Sequence, residues 1–336
     1  MGARMLTNVK HKLGKLIANA VLPNGLYCFN YHRIGEASLT EYDPNVFSCD
    51  EANFVEHIQY IKKHFTVVTL DDLAEILKGK ITDKRYALIT FDDGYIDNYS
   101  KAFPILLENK ISATFFLATN FINNAEIPWW DRIAYLVRHA QVDEIKLNNW
   151  PDRITLSKED VPTSIRKVLD VVKINNGSTI EEILIELHQK LQTPNSKFCD
   201  QEPLFMTWDM AREMSAAGME FGSQTCSHRI LSHLSIEEQD YEAKTSKELI
   251  ETELNTSIKA FAYPVGGKDS FTEETVKIIK KYYQVSFSFI SGINTSKQLN
   301  EFSIERISVD SNCNATQLSH KLLKLFLKKL HKSVWK

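Results

Sequence analysis

The amino-acid sequence predicts an α/β fold in which parallel strands alternate with helical crossovers, as a barrel or a doubly wound sheet. Three observations carry this. Short apolar, β-branched runs recur along the chain, helical-period segments fill the intervals, and chemically active residues cluster where the runs end. The size agrees: 336 residues, 43% of them apolar and 25% charged, bury a substantial core in one large domain or two small ones.

Leu26-Tyr27-Cys28-Phe29-Asn30-Tyr31 reads as a first strand, and Phe54, Ile58 and Ile61 mark one face of a helix. Thr66 to Leu70 reads as a short strand, after which Asp71-Asp72 cap a helix through Leu77. Tyr86 to Phe91 is a buried strand, followed by a helix from Tyr99 to Asn109 and a strand from Ala113 to Leu117. Between about Ile127 and Pro203 the texture changes. Trp129-Trp130-Asp131 opens polar, helix-rich sequence without strand alternation, which reads as an insertion forming a lid or a substrate wall. The alternation then resumes with a helix from Trp208 to Ala217 and a strand from Met219 to Gly222. A helix from Ile236 to Leu254 follows, opened by Ser235 and Glu238 as a capping box. Ile258 to Tyr263 is a strand, Thr272 to Tyr282 a helix, and Val285 to Phe289 and Ile304 to Val309 close the series.

The ends differ from this body, which spans 24–312. Residues 1–23 are basic and amphipathic, with Val9-Lys10-His11-Lys12-Leu13 at their centre. In 313–336, Leu318, Leu322, Leu325 and Phe326 recur at helical spacing among Lys321, Lys324, Lys328, Lys329 and Lys332, with Trp335 near the end. Such a helix either lies on an anionic membrane surface or packs its leucines on the body and solvates its lysines.

A net charge of −3 gives no pull towards nucleic acid. Five scattered cysteines (Cys28, Cys49, Cys199, Cys226, Cys313) without a CxxC pair argue against a disulfide framework and fit a reducing compartment. No run is long and apolar enough to cross a bilayer. Ala18-Asn19-Ala20 imitates a signal cleavage site, but Lys15 interrupts the apolar stretch before it. The expectation is a cytoplasmic protein, peripheral on the inner face of the membrane if the ends bind it.

Chemistry concentrates at four strand ends. Thr90-Phe91-Asp92-Asp93-Gly94 places two adjacent carboxylates where a strand stops, and they repel unless a cation or shared proton compensates them. A metal on one leaves the other free as a base; the alternative is an ordinary Asp-Gly turn. The loop Gly222 to His233 supplies Gln224, His228 and His233, and imidazole with carboxylate suits a borderline divalent metal such as zinc. In Phe261-Ala262-Tyr263-Pro264-Val265-Gly266-Gly267 a proline fixes a turn whose backbone N–H groups can face a developing oxyanion. Tyr31-His32-Arg33 adds a histidine at the end of the first strand.

These segments together resemble the polysaccharide deacetylases, metal-dependent carbohydrate esterases, over roughly Leu26 to Val309. Thr90 to Gly94 matches the first family motif, Phe261 to Gly266 is similar to the third, and Met206-Thr207-Trp208-Asp209 resembles the lead into the second. Tyr31-His32-Arg33-Ile34 resembles the opening of poly-N-acetylglucosamine deacetylases. The resemblance implies a distorted (β/α)7-type barrel with a helical insertion. It implies Asp92 as general base, Asp93 and His228 as ligands of zinc (or cobalt, manganese or nickel), the Val265 N–H at the oxyanion and His32 as general acid. The implied substrate is a carbohydrate, an N-acyl amino sugar in a glycan or lipid-linked glycan, with Tyr263, Trp208 and Arg306 as candidate contacts. Trp129 and Trp130 offer stacking surfaces or core packing.

The sequence departs from the family twice. Gln224 stands where the first metal histidine is expected. Gln224 completes a weaker site, or His233 replaces it, or the site has lost its metal and the chain binds carbohydrate or a protein partner without turnover. Ala262 stands where many members carry the arginine that orients the base; Arg306 takes that role or makes a surface ion pair. For the membrane, removing Leu318 to Lys336 is expected to release the protein from anionic vesicles in a flotation assay; unchanged binding would rule out this tail as the anchor.

Overall fold

A computed structural model describes residues 21–79, 84–174, 179–193, 203–295, 299–310 and 313–334. Seven parallel strands form the frame: β1 (Gly25–Tyr31), β2 (Arg85–Phe91), β3 (Thr114–Leu117), β4 (Glu220–Ser223), β5 (Ala260–Ala262), β6 (Val285–Ser291) and β7 (Ile304–Ser308). Their spatial order is β1-β7-β6-β5-β4-β3-β2, and β2 returns to β1 in unbroken register from Gly25↔Arg85 to Tyr31↔Phe91. The sheet therefore closes into the expected barrel. It is distorted beside β2, where a short strand, Thr66–Val67, pairs at Tyr86 and Ala87 and β3 takes over at Thr90.

The alternation of strand side chains divides the apolar residues into two sets. Leu26, Cys28, Leu88, Phe116, Ala260, Phe287 and Ile304 pack together inside the barrel, while Tyr27, Phe29, Tyr31, Ile89, Phe91 and Phe115 join the core beneath the helices. The inside turns polar towards the strand ends, where Asn30, Thr90, Ser288 and Arg306 are all buried. That polar layer is the floor of the mouth.

The surrounding helices are α1 (Glu51–His64), α2 (Leu70–Gly79), α3 (Phe103–Asn109), α4 (Trp129–Arg138), α5 (Val161–Ile174), α6 (Ile180–Leu191), α7 (Trp208–Ala216), α8 (Ile236–Leu254), α9 (Glu273–Tyr282) and α10 (Ala315–Val334). The Ser235–Glu238 capping box opens α8 as expected. Three local readings change. The predicted strand from Thr66 to Leu70 stops at Val67, because the Thr69 hydroxyl accepts from Asp72 N–H and the Asp72 carboxylate accepts from Thr69 N–H, starting α2 early. The helix expected from Tyr99 begins as a π-helical turn, Asn98–Ala102. The insertion also carries an antiparallel pair, Glu144–Ile145 with Ile154–Thr155, too short for alternation to be visible.

Helix α10 lays Leu318 and Leu322 on the body with no exposure, and Leu325 and Phe326 pack half-buried against it. Its outer side shows Lys324, Leu327, Lys328 and Leu330. Truncation would thus uncover the core, so substitution of these outer residues is the cleaner membrane test. Val9 to Leu13 and Trp335 lie outside the described residues.

The insertion is fastened through α4. Asp131 is fully buried, accepts from Asp43 N–H at 3.0 Å and accepts from the Tyr95 hydroxyl at 2.9 Å. Burial pushes its carboxyl up to about 7, with the Arg33 charge and the Asp43 N–H opposing that rise. A carboxyl that holds its proton more tightly when folded favours the folded state at low pH, and this contribution is lost as pH rises from about 4 to about 7. Asp131→Asn is therefore expected to gain several degrees of melting temperature relative to wild type between pH 4 and 7.5. A difference independent of pH would show that Asp131 carries no such proton.

Candidate active site

Because all seven strands run parallel, the residues after their C-terminal ends converge on one mouth. A cavity of about 720 Å³ opens there, and His32, Asp92, Asp93, Gln224, His228 and Val265 all line it. Arg166, Leu169 and Lys173 of α5 form a facing wall, so part of the insertion encloses the mouth.

Asp92 is the most tightly held group. Arg306 reaches across from β7 and forks onto it, Nη1 to Oδ1 and Nη2 to Oδ2, each at 2.7 Å, with both side chains about 1% exposed. The same guanidinium donates through Nε to the Ser288 carbonyl and through Nη1 to Asn30 Oδ1. Asn30 in turn donates to Asp92 Oδ2 at 3.2 Å and accepts from the Thr90 hydroxyl at 2.7 Å. Arg306 thus grips the Asp92 carboxylate from a buried position and is no surface ion pair. With four of its five N–H groups bonded to Asp92, Asn30 and Ser288 and its side chain buried, its expected part as a substrate contact is not supported. His32 stands on the open side of Asp92, Nε2 at 3.8 Å from Oδ2, its ring edge-on to Phe289.

Asp93 and His228 form a second pair. His228 Nε2 lies 3.3 Å from Asp93 Oδ1, and both side chains are nearly inaccessible. Burial pushes the Asp93 carboxyl up, but the adjoining His228, with the charges of His32 and Arg306, holds it below its usual range. Asp93 Oδ1 and, at the other ring nitrogen, His228 Nδ1 are both buried without hydrogen-bond partners among the described residues. Two ligands about 2.0–2.1 Å from one tetrahedral ion stand about 3.3–3.4 Å apart. The pair fits a divalent metal. Gln224 as placed does not add to it, because Oε1 accepts the Asp93 N–H at 2.7 Å. No group of three or more His, Cys, Asp or Glu arranged to hold a metal occurs among the described residues.

The backbone at these positions is unusual. Asp93, Thr225, His228 and Val265 have φ of 73°, 70°, 54° and 62°. Left-handed backbone is costly for residues with a side chain, most of all for β-branched Val265. At Asp93 and Val265 the cause is a three-residue turn, closed by Gly94 N–H to Asp92 O at 3.0 Å and Gly266 N–H to Pro264 O at 2.6 Å. A Cβ on Gly266 would lie 2.6 Å from Phe289 N, so only glycine closes that turn. The turn leaves the Val265 N–H without an acceptor among the described residues, at the edge of the cavity.

Three candidates sit elsewhere. His233 ends a short 3-10 turn and lines a separate cavity of about 610 Å³, where burial lowers its imidazole pKa. Trp208 starts α7 and is buried in the core beneath the helices, outside the mouth. Tyr263 lines the mouth, but its hydroxyl donates to the Phe302 carbonyl and accepts from Ser286. Sequence reasoning missed Asn30 as a functional residue; the signal was a lone amide within an apolar strand. It also left open the role of Trp129 and Trp130, which line the mouth and contact His228.

The family model for polysaccharide deacetylase matches residues 79–285, a span that includes the carboxylate pair, Gln224, His228 and Val265 but neither His32 nor Arg306. YxkH of Bacillus subtilis (strain 168), which is named as a polysaccharide deacetylase, is 25% identical over 134 residues. That alignment takes in 38% of this chain and 46% of YxkH, so the chain spans less than half the length of this curated relative. The Streptococcus pyogenes deacetylase PplD, solved with acetate, is similar at a TM-score of 0.58 and 18% identity, covering 90% of this chain and 98% of that one. IcaB from Ammonifex degensii gives 0.56 and 16%, with 90% and 98% covered. At such identities the structures speak for the fold. Matched by the family model over more than half of its length, this chain belongs to the polysaccharide deacetylase family.

Proposed function

We propose that the chain is a hydrolase that removes an N-acyl group, N-acetyl first of all, from an amino sugar of a glycan or lipid-linked glycan. The observation that carries this reading is the Asp92 carboxylate, forked by Arg306 on one side and faced by His32 at 3.8 Å on the other. A base and an acid so placed can act on the two sides of one amide. Asp93 and His228 would hold a divalent metal ion, which when bound polarises an acyl carbonyl and lowers the pKa of a water.

The chain's own residues then divide the work. Asp92 accepts a proton from the attacking water, and Arg306 keeps its carboxylate from turning away. The acyl carbon becomes tetrahedral, and the Val265 N–H donates to the oxygen that gains charge. When the C–N bond breaks, protonated His32 gives its proton to the departing nitrogen, leaving a free amine and a carboxylate. The α5 wall narrows the mouth and limits water around the amide.

A second reading, carbohydrate binding without turnover, is favoured by Gln224 alone, whose oxygen is committed to Asp93 N–H. The lysines and leucines exposed on α10 support contact with an anionic surface and so favour a lipid-linked substrate at the inner face of the membrane.

Acetate release from N-acetylated amino-sugar oligomers, with zinc, cobalt, manganese or nickel each added, decides between hydrolysis and binding. Turnover is expected, falling about 10²–10⁴-fold in Asp92→Asn; no acetate with any metal would leave the binding reading standing. Arg306→Lys keeps the charge but loses the fork, and a fall of at least tenfold in kcat is expected. Gln224→His is expected to tighten zinc binding at least tenfold in a chelator competition; unchanged affinity would show that this position does not face the metal.

A further inference from the structure

We propose that Trp129-Trp130-Asp131, where the insertion begins, is the device that fixes the orientation of His228. The inference deepens the reading of this site as a metal-dependent one, but its test needs no turnover.

The starting point is what His228 lacks. A metal-binding imidazole is usually oriented by a hydrogen bond from its second ring nitrogen. Here Nδ1 is buried with no hydrogen-bond partner among the described residues, and the residue sits on a loop at φ 54°. Something else must hold the ring.

The insertion supplies it from two adjacent residues. The Trp129 indole N–H donates to the His228 carbonyl at 3.3 Å, while within the loop the backbone N–H of His228 donates to the Thr225 hydroxyl at 3.0 Å. The Trp130 ring packs on the imidazole, with centroids 4.5 Å apart and planes inclined by 56°. Trp130 is itself immobilised, because its indole N–H donates to the Tyr95 hydroxyl at 2.7 Å. An indole nitrogen can only donate, so with Asp131 ionised the Tyr95 proton points to its Oδ2 at 2.9 Å and the direction of the chain is fixed. Asp131 Oδ1 is anchored on Asp43 N–H, and the Arg33 guanidinium lies 4.7 Å above the Tyr95 ring.

Simple core filling accounts for two buried tryptophans. It does not account for an indole bonded to the His228 backbone beside a second indole bonded through Tyr95 to one buried carboxylate. Tyr95 also follows Asp93 by two residues on the same loop, so one network braces both members of the Asp93–His228 pair.

The test uses the full-length, metal-free protein labelled with ¹⁵N at histidine, with ring proton–nitrogen correlation spectra read at fixed pH. His228→Gln assigns the His228 signals among the ten histidines. Tyr95→Phe removes one hydroxyl, and Trp130→Phe keeps a ring on the imidazole but loses the indole N–H. Both are expected to move or broaden the His228 ring signals while leaving those of the other histidines in place. Zinc affinity is expected to fall about tenfold in each. With a hydrolysed substrate, kcat falls while KM stays within about twofold. Unchanged His228 ring signals in folded Tyr95→Phe would overturn the proposal, whatever its activity. If that variant does not fold, Asp131→Asn takes its place, read well above pH 7, where the wild-type carboxyl is ionised and the substitution removes its charge without changing the volume: shifted His228 signals support the proposal and unchanged ones overturn it.

Discussion

Two ionisable carboxylates on consecutive residues, buried at the mouth of a barrel, set the terms for the rest of this molecule. Neither carboxylate can be left uncompensated there, because an isolated buried charge costs several kcal/mol. The chain solves the problem separately for each. Asp92 turns to Arg306 and Asn30, so strands β1, β2 and β7 are tied across the barrel by one polar layer. Asp93 turns the other way, to His228 and Gln224 on the loop after β4. Between them the backbone turns sharply at the left-handed Asp93, φ 73°.

On the proposed function, that division also separates the two chemical roles. The Asp92 carboxylate is saturated by fixed donors on its barrel side and open towards His32, which suits a group that must receive a proton in one direction. The Asp93 oxygen nearest His228 has no hydrogen-bond partner among the described residues, which suits a group that awaits a cation. The second pair relies on the insertion, since Trp129 and Trp130 come from α4. On the proposed function, the barrel would build the proton-transfer half of the site, and the barrel with the insertion the cation half.

How much of this was legible in the sequence follows from how local each signal is. The strands were legible because a barrel strand is a short apolar run whatever its neighbours, and the Ser235 cap because it acts within one helical turn. Asp92, Asp93, His32, His228 and Val265 were legible as strand-end residues, and the barrel brings all five to one cavity. Arg306 could be named but not placed, because its role depends on β7 closing next to β1, a contact between residues 276 positions apart for Asn30 and Arg306. His233 looked equivalent to His228 in one dimension. Its short turn carries it to another cavity, a matter of loop geometry that residue type does not encode. Trp208 failed for a related reason: its place at the first turn of α7 points it into the core.

Gln224 is best understood through the atom it serves. The Asp93 N–H is buried inside a tight turn, and leaving such a donor unsatisfied costs about 1–3 kcal/mol. The Gln224 amide oxygen meets that need at 2.7 Å. An imidazole at the same place that gave one nitrogen to a metal would carry a proton on the other, and a protonated nitrogen cannot accept a hydrogen bond. Bracing the Asp93 turn and ligating a metal are therefore competing uses of one position, and in this structure Gln224 makes the first contact. On the proposed function, the exchange leaves Asp93 well oriented but lowers the number of protein ligands, so the affinity for a metal would rest on how firmly Asp93 and His228 are held. That places unusual weight on the packing around His228, and it gives the paired tryptophans of the insertion a reason to be bonded as they are.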